Sequence, residues 1–390
     1  MLTLNKTKSL FLNPNLQIVF GITLMGVLGV SSITPAFPKI INQFGLSHQE
    51  VGWLVAVFTL PGIFLTPLLG LLADRWGRKR ILVPSLFIFG IAGGACGLVR
   101  SFHLLLILRF FQGVGAASLG SLNVTLIGDL FSGEERVKAM GYNASVLNLG
   151  TASYPALGGV LATLGWFYPF FLPLFALPLA VVVWGRLQNP EPKAKKNLNQ
   201  YLQQIGQSLK QKEIITILIA SGINFIMLYG AYLTYLPILM EQSFAPPSWL
   251  TGLLMSGMSL TSALVSSQLG RLSRLVSQDN LFKAAFLIYG LAFLVFPLVP
   301  YLSTVLIPVF LLGLAHGICI PTIHTQLAQF APAESRAVFM SLNGMVFRLG
   351  QTVGPLFMGF IAQNAGIEKV FPTASGLAVG MLILLWGVKK

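Results

Sequence analysis

The chain has 390 residues, 55% of them hydrophobic and only 9% charged, where soluble domains carry about 25% charged residues, so a soluble fold is excluded. Its net charge of +14 would suit nucleic acid only as a basic face on a soluble domain. The basic residues instead lie in the short segments between apolar runs, and no nucleic-acid partner is expected.

A bilayer-spanning helix needs about 20 predominantly apolar residues. A polar arm with Lys6 and Lys8 comes first, with no cleavage pattern behind it, so the first span is expected to be retained as an uncleaved anchor. Apolar runs follow at 16–41, 49–73, 81–99, 103–129, 137–163 and 166–185, then at 214–241, 248–270, 281–300, 302–328, 337–363 and 367–388. These twelve spans use about 240 positions and leave no room for a large soluble domain. Cys96 and Cys319 both fall inside apolar runs. They can build neither a disulfide framework nor a Cys-based metal site, and they leave the redox compartment unread.

The longest break, 186–213, divides the chain into bundles at 1–185 and 214–390 and opens with the Lys-rich stretch NPEPKAKKN. Leu198, Tyr201, Leu202, Ile205 and Leu209 recur there at helical spacing, which fits either a helix lying on the membrane surface or a solvated connector. Of the 25 Lys and Arg, 20 fall on the side of the N-terminus and only Lys39, Arg100 and Lys369 on the other, with Arg109 and Arg348 inside spans. By the positive-inside rule both termini and the linker are cytoplasmic, in a multi-pass protein of the cell membrane.

The sequence also repeats. A shift of 200 residues matches Gly52 to Gly252, Gly70 to Gly270, Gly90 to Gly290 and Gly113 to Gly313. In the block 134–159 nine of 26 positions are identical, among them Glu134/Glu334, Arg136/Arg336, Asn143/Asn343, Gly150/Gly350, Pro155/Pro355 and Gly159/Gly359. Because the matched Glu-x-Arg loops must face the same side, each repeat holds an even number of spans. The fold class expected is therefore an all-α membrane protein, with two parallel six-helix repeats around a central cavity.

Three motifs carry the mechanism. The loop after the second span reads Gly70-Leu-Leu-Ala-Asp74-Arg75-Trp-Gly77-Arg78-Lys79-Arg80. Gly70 allows close helix approach, Gly77 a tight turn, and Asp74 can sit at the positive end of a helix. This loop resembles the loop 2–3 motif of the major facilitator superfamily, and the chain is similar to its drug:proton antiporters. The resemblance implies that Asp74 meets span 11, that Arg78 engages Asp129 at the end of span 4, and that together they latch one conformational state. Span 4 carries Arg109, Gln112, Gly113 and Asn123, similar to the antiporters' motif around a buried Arg. Gln112, Ala116 and Asn123 share a stripe with Arg109, as a cavity-facing helix would show, although Arg109 could also snorkel to the outer headgroups. Span 5 carries Gly141, Gly150, Pro155, Gly158 and Gly159, nearly the antiporter motif, with Tyr154 where that motif has Gly. Close packing and a bend follow from these residues.

The second half holds fewer polar residues. His316 and His324 in span 10 lie about 12 Å apart along the axis and 80° around it. Asn224 and Tyr235 in span 7 are eleven residues apart, on nearly one face. In the family spans 1, 4, 7 and 10 line the cavity, so the resemblance implies substrate or proton contacts for these four. Arg348 in span 11 is costly to bury and functional by default. Each His could equally be a hydrogen-bonded packing residue. No acidic residue lies mid-span: Asp129 and Glu241 sit at ends. No phosphate loop, HExxH or GxSxG motif is present, so neither ATP drive, an enzyme, a metal nor a cofactor is expected. The expected function is a monomeric secondary transporter exporting small hydrophobic or amphipathic compounds by alternating access, in exchange for protons or another ion. An importer or lipid translocase, or a transport-inactive membrane sensor, would use the same scaffold.

Overall fold

A computed structural model describes residues 10–188, 211–330 and 336–387. Helices are the only route across hydrocarbon for an apolar chain that must satisfy its own backbone, and among the described residues the chain is helical without strands. Among the described residues twelve long helices form two sets of six: α1 (Pro14–Phe44), α2 (His48–Trp76), α3 (Arg78–Cys96), α4 (Phe102–Leu130), α5 (Gly133–Leu164) and α6 (Tyr168–Arg186), then α7 (Lys212–Phe244), α8 (Ser248–Leu275), α9 (Gln278–Leu298), α10 (Leu302–Phe330), α11 (Arg336–Ala365) and α12 (Ile367–Gly387). Eleven are long and apolar enough to cross a membrane by length and composition. The twelfth, α5, has 32 residues, but Asn143, Ser145, Asn148, Thr151 and Ser153 lower its hydropathy. The linker residues Leu198, Tyr201, Leu202, Ile205 and Leu209 lie outside the described residues, as do Lys6, Lys8, Glu334, Lys389 and Lys390.

Helix boundaries follow local chemistry. Ser47 and Glu50 form a capping box that starts α2, with Ser47 N donating to Glu50 Oε2 at 2.8 Å. Gly77 ends α2 at φ 92°, a conformation that a side chain would strain, and the chain enters α3 at once. In α7 the stretch Met227–Tyr235 is wound as a π-helix.

Packing within each set obeys the 200-residue shift. In the first set α4 packs on α2 and α3, α6 on α3, and α5 on α1; in the second, α10 packs on α8 and α9, α12 on α9, and α11 on α7. Individual contacts repeat as well. Thr66 Oγ1 donates to Ala117 O at 2.9 Å and Ser266 Oγ to Gly317 O at 3.0 Å. Gly113 rides on the carbonyl of Phe58, and Gly313 on that of Met258. Lipid supplies no hydrophobic force between helices, so close backbone approach at small residues and hydrogen bonds such as these hold the bundle. The two sets join along two seams, α2 on α11 and α5 on α8.

Candidate functional site

Both seams are closed at one end only. At the end away from the chain termini, a Cβ on Gly52 would lie 2.7 Å from Pro355 O, and Gly252 packs directly on Pro155 O in the other seam. Hydrogen bonds between the halves cluster there: Tyr235 Oη donates to His48 O at 2.8 Å, Trp249 N to Thr163 Oγ1 at 3.2 Å, and Gln242 Nε2 lies 3.1 Å from His48 Nε2. Toward the opposite, basic end, a Cβ on Gly70, Gly128, Gly141, Gly270 or Gly344 would meet no atom within 4 Å. Thr59 and Thr352, with their hydroxyls 2.8 Å apart and buried, form the last polar rung before the seam parts. The molecule is thus held as a V that opens toward its basic end.

At that end, Arg78 is buried and donates through Nε to Asp129 Oδ2 at 3.1 Å, while its Nη1 pairs with Asp74. One guanidinium thereby ties α2, α3 and α4. Asp74 is held within its own loop in this open state, Arg75 faces solvent, and Gly70 has no close neighbour.

Arg109 does not line the V. Its side chain is wholly enclosed, donating to Leu54 O at 3.0 Å, Gly29 O at 2.9 Å and Gln112 Oε1 at 2.7 Å, with Cζ 4.2 Å from the Phe58 ring centroid. The guanidinium replaces lost hydration with two backbone carbonyls, an amide and a ring face, and so clamps α1, α2 and α4 together. Asn123 is likewise inside the bundle: its Nδ2 donates to Thr23 Oγ1 at 2.8 Å, and Thr23 donates to Asn143 Oδ1 at 2.6 Å, joining α4, α1 and α5. The stripe expected on the cavity face is turned inward because these polar groups find partners between helices.

In α5, Gly158 accommodates the Ser32 carbonyl, Gly159 sits against Ser248 and Gly252, and Gly150 meets Leu24. Pro155 supplies the carbonyl on which Gly252 rests. The four span α1 on one side and α8 on the other, whereas Gly141 lies in the open half of the seam. Tyr154 is buried, with its ring against Gly150.

The four polar positions of α7 and α10 separate. Tyr235 belongs to the closed end, about 16 Å along the axis from Asn224, and the π segment between them departs from the 100° per residue on which the one-face reading rests. Asn224 is fully buried with neither side-chain atom paired. His316 Nδ1 lies 2.8 Å from Tyr289 Oη of α9, inside the second bundle. His324 is exposed, with its ring edge-on to Phe347 at 6.0 Å. Arg348 lies at the apex of the V. A Cβ on Gly62, the midpoint of α2, would stand 3.0 Å from Arg348 Cδ, and one on Gly120 of α4 would stand 3.6 Å from Nη2.

Two parallel six-helix repeats packed through α2/α11 and α5/α8, with the loop 70–80 at the basic end, make a fold with few alternatives. The chain matches the model described as Major Facilitator Superfamily over residues 19–307 and 236–390. It belongs to the major facilitator superfamily. Among its relatives, "Multidrug resistance protein 1" of Bacillus subtilis (strain 168) is 26% identical over 383 residues, covering 96% of each chain. "Quinolone resistance protein NorA" of Staphylococcus aureus (strain MRSA252) is 23% identical, again over 96% of each. A solved bacterial homolog of the human lysosomal transporter Spinster, in an inward-facing and unoccupied conformation, superposes with a TM-score of 0.78 at 18% identity, covering 95% of this chain and 94% of that one. Members of this superfamily are transporters rather than enzymes, and this chain is a multi-span membrane transporter whose curated relatives confer multidrug resistance.

Several residues of this superfamily member escape a reading by motif. Thr59, Thr352, Tyr289 and Thr23 are single hydroxyls in apolar helices, and each acquires its role from a partner more than 25 residues away. The one available signal was pairwise: Asn143 and Asn343 recur under the 200-residue shift, which marked Asn143 as part of the shared scaffold.

Proposed function

We propose that the protein exports small hydrophobic or amphipathic compounds across the cell membrane by alternating access, in exchange for protons or another ion, with the linker and both termini in the cytoplasm. On this reading the open mouth of the V is the cytoplasmic one. The halves 1–185 and 214–390 rock about the middle of the α2/α11 and α5/α8 seams, and the segment 186–213 tethers them. The observation that carries the proposal is the state of the seams: both are closed by glycine-on-carbonyl contacts at one end and parted at the other, and related contacts at both ends are what a rocker requires. The names of the curated relatives, "Multidrug resistance protein 1" and "Quinolone resistance protein NorA", support efflux of foreign compounds.

Asp74 and Arg78 supply the switch. When the cytoplasmic mouth closes, α2 approaches α11 along the Gly70 face, and Asp74 exchanges part of its pairing with Arg78 for the positive N-terminal end of α11. A helix terminus stabilises a carboxylate by about 0.3–2 kcal/mol, enough to bias a two-state equilibrium. His324, exposed and edge-on to Phe347 of α11, is the side chain to which we assign proton exchange, since histidine is the residue type whose charge changes in the physiological pH range. The test is transport by purified protein in sealed proteoliposomes, against a compound panel with and without an imposed pH gradient. Accumulation on the side away from the termini, enhanced by a gradient acid on that side, is expected. Uphill movement only in the opposite direction would overturn the export reading, and gradient-independent transport would overturn proton coupling.

A further inference from the structure

Arg348 stands in an electrostatic position of its own. It lies twelve residues into α11, about 18 Å along the helix from its start. Each of the nine Asp and Glu among the described residues lies within four positions of a helix end. No carboxylate among the described residues lies within 4 Å of its guanidinium, whose recorded partner is the neutral Gln351, with Nη1 donating to Oε1 at 3.2 Å. Contrast Arg109, which donates to two backbone carbonyls and an amide and is sealed between helices of one half. Arg348 instead crosses the gap between the halves toward Gly62 and Gly120, where the seam parts. A cation where the seam parts, in low dielectric and with no carboxylate among the described residues within 4 Å, is costly unless something anionic is to be received there.

Its surroundings define the rest of the ligand. Phe347, the preceding residue, is tilted against Phe225 with centroids 4.2 Å apart, and Phe225 meets Tyr229 at 5.9 Å, which gives a row of aromatic rings between α7 and α11 at the level of Arg348. One turn toward the open mouth on each of these helices, Ser221 Oγ and Asn343 Oδ1 are buried without hydrogen-bond partners. We propose that the apex of the cavity binds a small aromatic organic anion, a carboxylate or sulfonate, with Arg348 as its counter-ion and the Phe225–Phe347 wall holding its ring. The proposal rests on the transport reading for the cavity being a cargo site, and it assigns cargo charge, which that reading leaves open. A cationic compound would meet Arg348 with no carboxylate to offset it.

The test compares three probes with one ring system, 1-naphthalenesulfonate, 1-naphthalenesulfonamide and 1-naphthylmethylammonium, binding to the purified full-length protein in phosphatidylcholine nanodiscs. The sulfonate is expected to bind at least about tenfold more tightly than the other two, the size of one charge-assisted contact. Arg348→Gln should erase that preference and Arg348→Lys should keep part of it. Gln351→Glu, which sets a carboxylate against an intact Arg348 without altering the packing, should erase it as well. Equal or reversed preference in the unaltered protein, or a preference that survives both Arg348→Gln and Gln351→Glu, overturns the proposal. So does loss of sulfonate binding on exchanging phosphatidylcholine for phosphatidylglycerol, which would make a lipid headgroup the occupant. Binding is measured without a gradient, so the two readings fail separately: outward pumping of the ammonium probe would sink the anion site and leave export standing, whereas an Arg348-dependent sulfonate preference with inward transport would do the reverse.

Discussion

Gly52 and Gly70 are 18 residues apart on α2, which is five whole turns and about 27 Å, so both lie on the face turned toward α11. In the conformation described, a Cβ on Gly52 would lie 2.7 Å from Pro355 O, whereas one on Gly70 would meet nothing within 4 Å. Gly→Ala raises helix propensity by about 1 kcal/mol, but equally in every conformation in which α2 stays helical, so that gain cancels from the equilibrium between states. What remains is steric. At Gly52 the added methyl overlaps a backbone oxygen by about 0.7 Å relative to ordinary contact, and overpacking of this kind costs about 1–3 kcal/mol. Placed on one of two interconverting states, that is about a 5- to 150-fold change in their ratio. Gly52→Ala should therefore drive the protein toward the state in which the far end opens and the basic end closes. Gly70→Ala should be silent in the present state and penalise the closed basic end, shifting the ratio the other way. Spin-label pairs across the α2/α11 seam, one near each end and in a background lacking Cys96 and Cys319, report both populations. Wild-type distances in Gly52→Ala, or shifts of the same sign in both variants, would refute a rocker hinged between these glycines.

Asp74→Asn weakens a part-buried pairing with Arg78 in the open state, where Asp129 still holds the guanidinium, and loses the helix-end interaction in the other. Distances across the basic end should lengthen while the protein stays folded, and unchanged distances with normal turnover would remove the switch. Arg109→Met strands the carbonyl of Gly29 in the last turn of its helix, at about 1–3 kcal/mol for a buried unpaired group, and removes the second donor from Leu54 O. Thermal unfolding in detergent should show a lower midpoint, with cargo affinity of the folded fraction unchanged; the reverse pattern would place Arg109 in the cargo site. His324→Gln should flatten the pH profile of transport, whereas His316→Leu, which strands the buried Tyr289 hydroxyl, should lower stability and leave that profile intact. An unaltered profile in His324→Gln would send the search for coupling to Asp129, Glu241 or another ion. Finally, cysteines replacing Lys195 and Lys369 one at a time should react oppositely with an impermeant reagent applied to intact cells, and labelling at position 195 from outside would invert the topology.

The fold was legible because its determinants are additive along the chain. Span lengths, the 200-residue shift and the loop from Gly70 to Arg80 each survive without knowledge of tertiary contacts, and helix limits such as His48–Trp76 fall within a few residues of the apolar runs. Site residues were legible only where a motif encodes a local geometry. The Arg78–Asp129 pair was implied by the resemblance of loop 70–80 to the family motif, and it forms here because α4 packs on both α2 and α3. By contrast, the inward turn of Arg109 depends on two carbonyls contributed by α1 and α2, and composition cannot specify where a helix will leave a carbonyl for a guanidinium. Tyr235 fails for a different reason: the spacing rule assumes uniform winding, and the π segment from Met227 to Tyr235 changes the turn per residue just where the rule is applied. His316 and His324 look alike in sequence, and only the position of Tyr289 distinguishes them.

The matched seam contacts have a consequence for how the machine is driven. Gly52 rests on Pro355 while Gly252 rests on Pro155, which is the reciprocal pattern of an isologous two-fold interface; mechanically the chain is a homodimer fused into one polypeptide. Such an interface has no inherent direction, because exchanging the halves restores it. Vectorial work must then come from side chains that violate the exchange. Among the polar side chains that do so are Asp74 opposite Arg274, Arg78 opposite Gln278, Arg109 opposite Val309, Arg348 opposite Asn148, His316 opposite Ala116 and His324 opposite Val124. The hinge contacts are common property of the two halves, whereas these charges belong to one half alone.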